Sequence, residues 1–226
     1  MKPDDESELT LHVDGLACRR GSRLLFQNLS FKLTSGHILA ITGRNGIGKS
    51  SLLRLLCGFL QAEAGSVSLS AADGSLHDLP DYIHYLGHRN ALKPALSVHE
   101  NLDFWRRFSD TPGLAPEEAL RAVQLEALAN LPAGVLSAGQ SRRVAFARLL
   151  VSRRPLWLLD EPTAALDKAS DQMIGTLISD HVNDGGFVIA ATHLPLTLQI
   201  EDERRASFDL GDYAAKTAPL SPGVFG

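Results

Sequence analysis

The sequence predicts an α/β fold with a helical insertion near its middle, on three observations. A short apolar run, His37–Ile41, leads into the glycine-rich stretch Gly43–Ser50, after which the pattern turns helical. A second apolar run, Leu156–Leu159, ends in the adjacent carboxylates Asp160 and Glu161. Between the two, from Ser97 to about Arg153, the pattern is helical, whereas strands alternate with helices on either side.

Taken in order, Leu9–Val13 and Leu29–Leu33 alternate apolar and polar residues, as half-buried strands do. His37–Ile41 is almost continuously apolar, as a strand covered on both faces is. Ser50–Phe59 reads as a helix with Leu52, Leu53, Leu55 and Leu56 on a broad apolar face, and Val67–Ser70 and Tyr82–Leu86 read as strands. Ser97 with Glu100 makes a capping box that opens a helix towards Phe108. Pro116, Glu117 and Glu118 have the composition of another first turn. Leu156–Leu159, a helix over Lys168–Asn183, Phe187–Ala191 and Ala206–Leu210 complete the alternation. The expected organisation is one domain over residues 9–212, a helical subdomain over about 89–153, and loose tails at 1–8 and 213–226.

Composition excludes several classes. The 226 residues are 44% hydrophobic and 21% charged, which is globular usage and not that of a disordered chain. A net charge of −4 argues against a nucleic-acid partner. No window holds the roughly 18 consecutive apolar residues of a membrane span. The acidic start, MKPDDESE, lacks the basic character of a targeting segment. Cys18 and Cys57 form no CxxC, so neither a disulfide framework nor a zinc module is indicated, and a reducing compartment suits the chain.

Gly43-Arg44-Asn45-Gly46-Ile47-Gly48-Lys49-Ser50 fits GxxxxGK[ST] between an expected strand and an expected helix. Glycines let successive backbone N–H groups wrap an anion, and the helix N-terminus adds favourable partial charge. Lys49 would reach the β- and γ-phosphates of a nucleotide, Ser50 would hold Mg²⁺, and Ser51 extends the cradle. A glycine-rich turn with a surface lysine is the plainer reading, but it does not require every fixed position in this context. Asp160 would bind Mg²⁺ through water, and Glu161 would act as general base on the attacking water. Alone, these acids could equally be a solvated strand end; beside the Lys49 loop that reading weakens.

Leu136-Ser137-Ala138-Gly139-Gln140 supports two compatible readings. Ser137 and Gln140 form an S-x-x-Q capping box, and the small Ala138 and Gly139 leave the helix N-terminus open to a phosphate. The phosphate loop, this LSAGQ, the LLDE run, Ala164-Ala165-Leu166-Asp167 and then His193 after an apolar strand stand in the order of the ATP-binding cassette ATPases, which the chain resembles over nearly its whole length. That resemblance implies a P-loop NTPase with a RecA-like core, an antiparallel β subdomain and a helical insertion. It implies head-to-tail pairing with a second copy, in which Leu136–Gln140 contacts the partner's ATP in trans. Asp167 would be the D-loop residue coupling the two sites, and His193 would bind the γ-phosphate in cis.

Two positions depart from the general cassette pattern. Arg20 stands before Gly21 where an aromatic usually stacks on adenine; a guanidinium can also stack on a base, with less discrimination expected. His88 stands at the position of the Q-loop glutamine, where it would reach the metal through water. An imidazole accepts a hydrogen bond only when neutral, so activity should fall as His88 protonates. With these departures, Leu16–Phe26 and Tyr85–His88 look like the ATP-binding subunits of the haem exporter complex of c-type cytochrome maturation. Arg89 differs from the glutamine usual there.

The resemblance implies a peripheral subunit on the cytoplasmic face of a bacterial inner membrane. Its partners would be integral membrane haem exporter subunits and, indirectly, a haem chaperone. The docking groove would lie near His88–Leu102 with Arg89, Asn90 and Lys93 exposed. The alternatives are an ATPase of another exporter and a non-transport cassette protein acting on DNA or ribosomes. The latter lacks its coiled-coil insertion or second cassette here. A regulatory GTPase lacks its NKxD motif, and an inactive cassette would not need Lys49, Asp160, Glu161 and His193 together.

Overall fold

The computed structural model describes residues 8–164 and 166–214. Most of the two expected tails, and Ala165 of the expected D-loop, lie outside the described residues. The chain opens with the antiparallel hairpin of β1 (Leu9–Arg20) and β2 (Arg23–Thr34), followed by β3 (Ile38–Thr42) and α1 (Lys49–Leu56). Next come β4 (Ala64–Ala71), β5 (Leu76–His77) and β6 (Ile83–Leu86). Helices α2 (Val98–Phe108), α3 (Pro116–Ala122) and α4 (Ala138–Leu150) form the helical segment. Strand β7 (Leu156–Asp160), α5 (Lys168–Asn183), β8 (Phe187–Ala191) and β9 (Arg205–Asp209) return to the core.

Among the described residues these strands make two sheets. An antiparallel sheet has the order β2-β1-β4-β5, and a five-stranded parallel sheet has the order β6-β7-β8-β3-β9. Strand periodicity sorts the parallel sheet's side chains. Leu156 and Leu158 of β7, with Phe187 and Ile189 of β8, pack towards α1 and the antiparallel sheet. Trp157, Leu159, Val188 and Ala190 pack on the opposite face, against residues of α4 and α5. Burial on both faces is why these strands are apolar without alternation. It also fixes where the next residue goes: Asp160 shares the parity of Leu156 and Leu158, and so belongs to the α1 face.

Helix ends follow local chemistry. Alpha1 stops at Leu56, three residues before the expected Phe59. Gly58 takes φ 73°, its N–H donates to Leu55 O at 2.9 Å, and Phe59 N–H donates to Arg54 O at 2.8 Å. That is a glycine-closed Schellman end. The capping boxes at Ser97–Glu100 and Ser137–Gln140 both form. Alpha5 starts and stops at the expected residues, with Asp167 as its cap. Strand β1 runs well beyond the expected Val13, and shifts of register between Val13 and Arg19 interrupt its pairing with β2. Buried positions accordingly switch from Leu9, Leu11 and Val13 to Leu16 and Cys18.

Candidate nucleotide site

All strands of the second sheet run parallel, so their carboxyl ends share one edge, where α/β folds bind ligands. Thr42 of β3 leads into the phosphate loop, Asp160 ends β7, and Ala191 of β8 precedes Thr192 and His193. The loops are stitched together by backbone bonds. Glu161 N–H donates to Ala191 O at 2.8 Å, and Thr192 N–H donates to Ile41 O at 3.0 Å.

Gly43 and Gly48 take φ 129° and 125°, backbone that side-chain-bearing residues rarely adopt. A β-carbon on Gly48 would also lie 3.4 Å from the side chains of Leu25 and Phe26, so the loop is seated directly on β2. Arg44, Asn45 and Gly46 are exposed, while Ile47 anchors the loop in the core. Alpha1 begins at Lys49 with no side chain capping it, leaving first-turn N–H groups available to an anion. Lys49 is buried; its Nζ donates to Gly43 O at 2.7 Å and lies 3.9 Å from Glu161 Oε1. Ser51 is buried in the same turn.

Ser50 Oγ donates to Asp160 Oδ1 at 3.0 Å, as the strand parity requires. A hydroxyl and a buried carboxylate beside a phosphate cradle suit a hard cation held by few protein oxygens, phosphates and water. No cluster of three His, Cys, Asp or Glu that could hold a metal ion occurs among the described residues. Glu161 takes φ 49°, a left-handed conformation costing a non-glycine residue about 1–2 kcal/mol. Its side chain meets His193, whose Nδ1 lies 2.8 Å from Glu161 Oε2. Thr192 braces this turn, its hydroxyl accepting from Leu194 N–H at 3.0 Å.

The other expected site residues lie apart from this cluster. Ser137 and Ala138 are both exposed, and no hydrogen bond joins Leu136–Gln140 to the phosphate loop among the described residues. Gly139 faces Leu166: a β-carbon placed on the glycine would lie 3.9 Å from Leu166 Cδ2. Asp167 accepts from Ser170 N–H at 2.8 Å; this bond holds its carboxyl below the usual carboxylate range. Arg20 is exposed beside the Gly21 turn of the β1–β2 hairpin, whose Leu25 and Phe26 support the loop. His88 is exposed just beyond β6, with no hydrogen bond from its ring among the described residues. Asn90 is a correction: it is half-buried, and its Oδ1 accepts from Arg142 at 3.2 Å. Lys93 is exposed as expected, its Nζ sitting 4.4 Å from the centre of the Phe104 ring, and Arg89 is exposed too.

Arg142 belongs to none of the expected motifs. It is only 6% exposed, and it joins α4, whose N-terminal end carries the LSAGQ sequence (the signature), to the ends of β6 and β7. Burial lowers its pKa to about 10, an effect opposed by the negative charges of Asp160 and Glu161. One signal in the sequence could have found it: Arg142 is in phase with Ala145, Phe146 and Leu149, all buried on the core face of α4.

The family model described as ABC transporter matches residues 26–164. A cytochrome c biogenesis ATP-binding export protein CcmA from Rhizobium johnstonii is 51% identical over 199 residues, covering 85% of this chain and 92% of that protein. The protein of the same name from Nitrobacter winogradskyi is 50% identical, covering 87% and 98%. Among solved structures, an ATP-binding cassette described as a dimer in a post-hydrolysis state bound to ADP and Pi is similar with a TM-score of 0.67. It is 25% identical and covers 81% of this chain and 88% of that one.

Proposed function

The chain belongs to the ABC transporter family, and from that premise we propose that it is the ATP-hydrolysing subunit of an export complex serving cytochrome c biogenesis. The observation carrying the ATPase reading is the convergence of Lys49, Ser50, Asp160, Glu161 and His193 on one edge of the parallel sheet. Relatives at about half identity over most of the chain support the cytochrome c reading.

The geometry suggests how the residues act. Lys49 would leave Gly43 O and Glu161 for the β- and γ-phosphates. The free N–H groups of the first turn of α1 would hold the phosphate oxygens. Ser50 and Asp160 would hold Mg²⁺, which supplies charge neutralisation on the phosphates. Glu161, released from Lys49, would take the proton of the attacking water, while His193 steadies it from the other side. The Ser137–Gly139 end of α4 suits the nucleotide of a second copy placed head to tail, since it is separate from its own loop. Among the described residues no helix is long and apolar enough to cross a membrane, so the bilayer path falls to partner subunits. The exposed face around Arg89 and Lys93 is the proposed contact for them, at the cytoplasmic side of the inner membrane.

Co-purification from bacterial membranes, with the partners identified by mass spectrometry, tests the assignment. Integral membrane subunits of cytochrome c biogenesis are expected. Recovery with a different exporter would redirect the cargo, and recovery with ribosomes or DNA would overturn the transport reading. The shared site has its own test. Ser137→Arg should lower turnover by about two orders of magnitude while ATP affinity stays within about twofold; parallel loss of both would sink action in trans.

A further inference from the structure

We propose that Arg142 is a positioning residue: it ties the signature helix to the backbone on both sides of Glu161, so that engagement of LSAGQ by a neighbouring copy's nucleotide sets the general base of this chain's own site. This rests on the shared-site ATPase reading above.

The guanidinium has five N–H groups, and each one finds an acceptor. Nε donates to Pro162 O at 3.1 Å. Nη1 donates to Gly87 O at 2.8 Å and to Asn90 Oδ1 at 3.2 Å. Nη2 donates to Asp160 O at 2.8 Å and to Glu161 O at 2.9 Å. The last two carbonyls flank the Glu161 α-carbon, so one nitrogen grips the chain on either side of the residue held at φ 49°. The two acceptors of Nη1, a backbone carbonyl and a side-chain amide oxygen, belong to the residues on either side of His88 and Arg89. One rigid fork therefore governs both the carboxylate and the loop after β6.

This arrangement exceeds what packing needs. Four acceptors are neutral backbone carbonyls and the fifth is an amide, so a buried cation is held without a direct carboxylate partner. Desolvating a charge is unfavourable, and an apolar side chain would fill the same space at lower cost. The planar fork supplies geometry that neither an apolar residue nor the point charge of lysine can. Arg142 also lies only five residues beyond Ser137, the cap of α4. Within that rigid helix, a displacement of the signature end reaches the guanidinium without passing through a loop. Of the contacts described, this gives the signature a direct connection to the buried catalytic edge.

The test compares the full-length wild-type chain with Arg142→Lys. Wild-type turnover abolished by Lys49→Ala establishes the ATPase reading independently, so the comparison then reads on the tether. Arg142→Lys should lower kcat by about 10- to 100-fold with KM for ATP unchanged within about twofold. In the Glu161→Gln background, where hydrolysis is blocked, it should still form the ATP-dependent dimer. Wild-type kcat in Arg142→Lys overturns the proposal, as does a kcat loss matched by equal losses of ATP affinity and dimer formation. Should Arg142→Lys fail to fold, Asn90→Ala keeps the cation and removes one acceptor. It should lower kcat about threefold at constant KM, and unchanged kcat there overturns the proposal equally.

Discussion

The two ends of the parallel sheet put histidine to opposite uses. At the carboxyl edge, His193 is half-exposed and meets Glu161 at 2.8 Å, within reach of the cluster around Lys49. At the amino edge, His181 is largely enclosed, its ring stacked on Trp157 with centroids 3.8 Å apart and its Nε2 bonded to Pro155 O at 2.9 Å. His84, enclosed likewise, lies 2.8 Å from Ser152 O. Burial is the main cause that drives the pKa of His84 down to about 3 and that of His181 down to about 4. The cations Arg148 and Arg154 lower His84 further. The residue type is the same; what differs is whether a carboxylate and solvent are at hand. Strand direction settles that, because the loops bearing Lys49, Asp160, Glu161 and His193 all emerge at one end.

The largest effect that can break this contrast comes from the carboxyl edge. Lys49→Ala should reduce ATP turnover at least about a thousandfold, since it removes the charge that meets the phosphates. Its thermal midpoint should shift by only a few degrees, because the loop remains anchored through Ile47 and Gly48. Steady-state turnover and a thermal melt decide it. Robust turnover would remove the phosphate-loop assignment, while wholesale unfolding would make Lys49 a structural residue like the histidines of the opposite edge.

What could be read from the sequence was local. The phosphate loop, the two capping boxes and α5 are specified by residues within a few positions of one another, so spacing alone places them. Asp160 is legible as the carboxylate that ends an apolar run, and the fold brings it to Ser50 Oγ at 3.0 Å. The extent of β1 was hidden because register shifts change the side-chain parity midway, leaving no continuous alternation from Leu9 to Arg20. Arg142 was hidden for a different reason. Its acceptors lie 18 to 55 residues away and are nearly all backbone carbonyls, which carry no sequence signature. Asn90 was misplaced with it, since only the partner makes that side chain internal.

The smallest effect sharpens the contrast from the amino edge. Because the folded-state pKa values of His84 and His181 lie below the ordinary value of 6.5, the unfolded chain takes up protons before the folded one does. Their linkage contribution is intact above pH 6.5 and is lost as pH falls from there towards about 4 and 3. The slope is up to about 1.4 kcal/mol per pH unit for each histidine. His181→Gln retains a donor for Pro155 O but cannot titrate. Denaturant unfolding at about pH 7 and about pH 5 should therefore show a smaller fall in stability for this variant than for the wild type, by about 1–2 kcal/mol. ATP turnover at neutral pH should remain within about twofold, because the substitution lies at the end of the sheet away from Lys49. Equal falls in stability would mean that His181 is not held neutral by the fold. A large loss of turnover with stability intact would show that the two ends of the sheet are not separable.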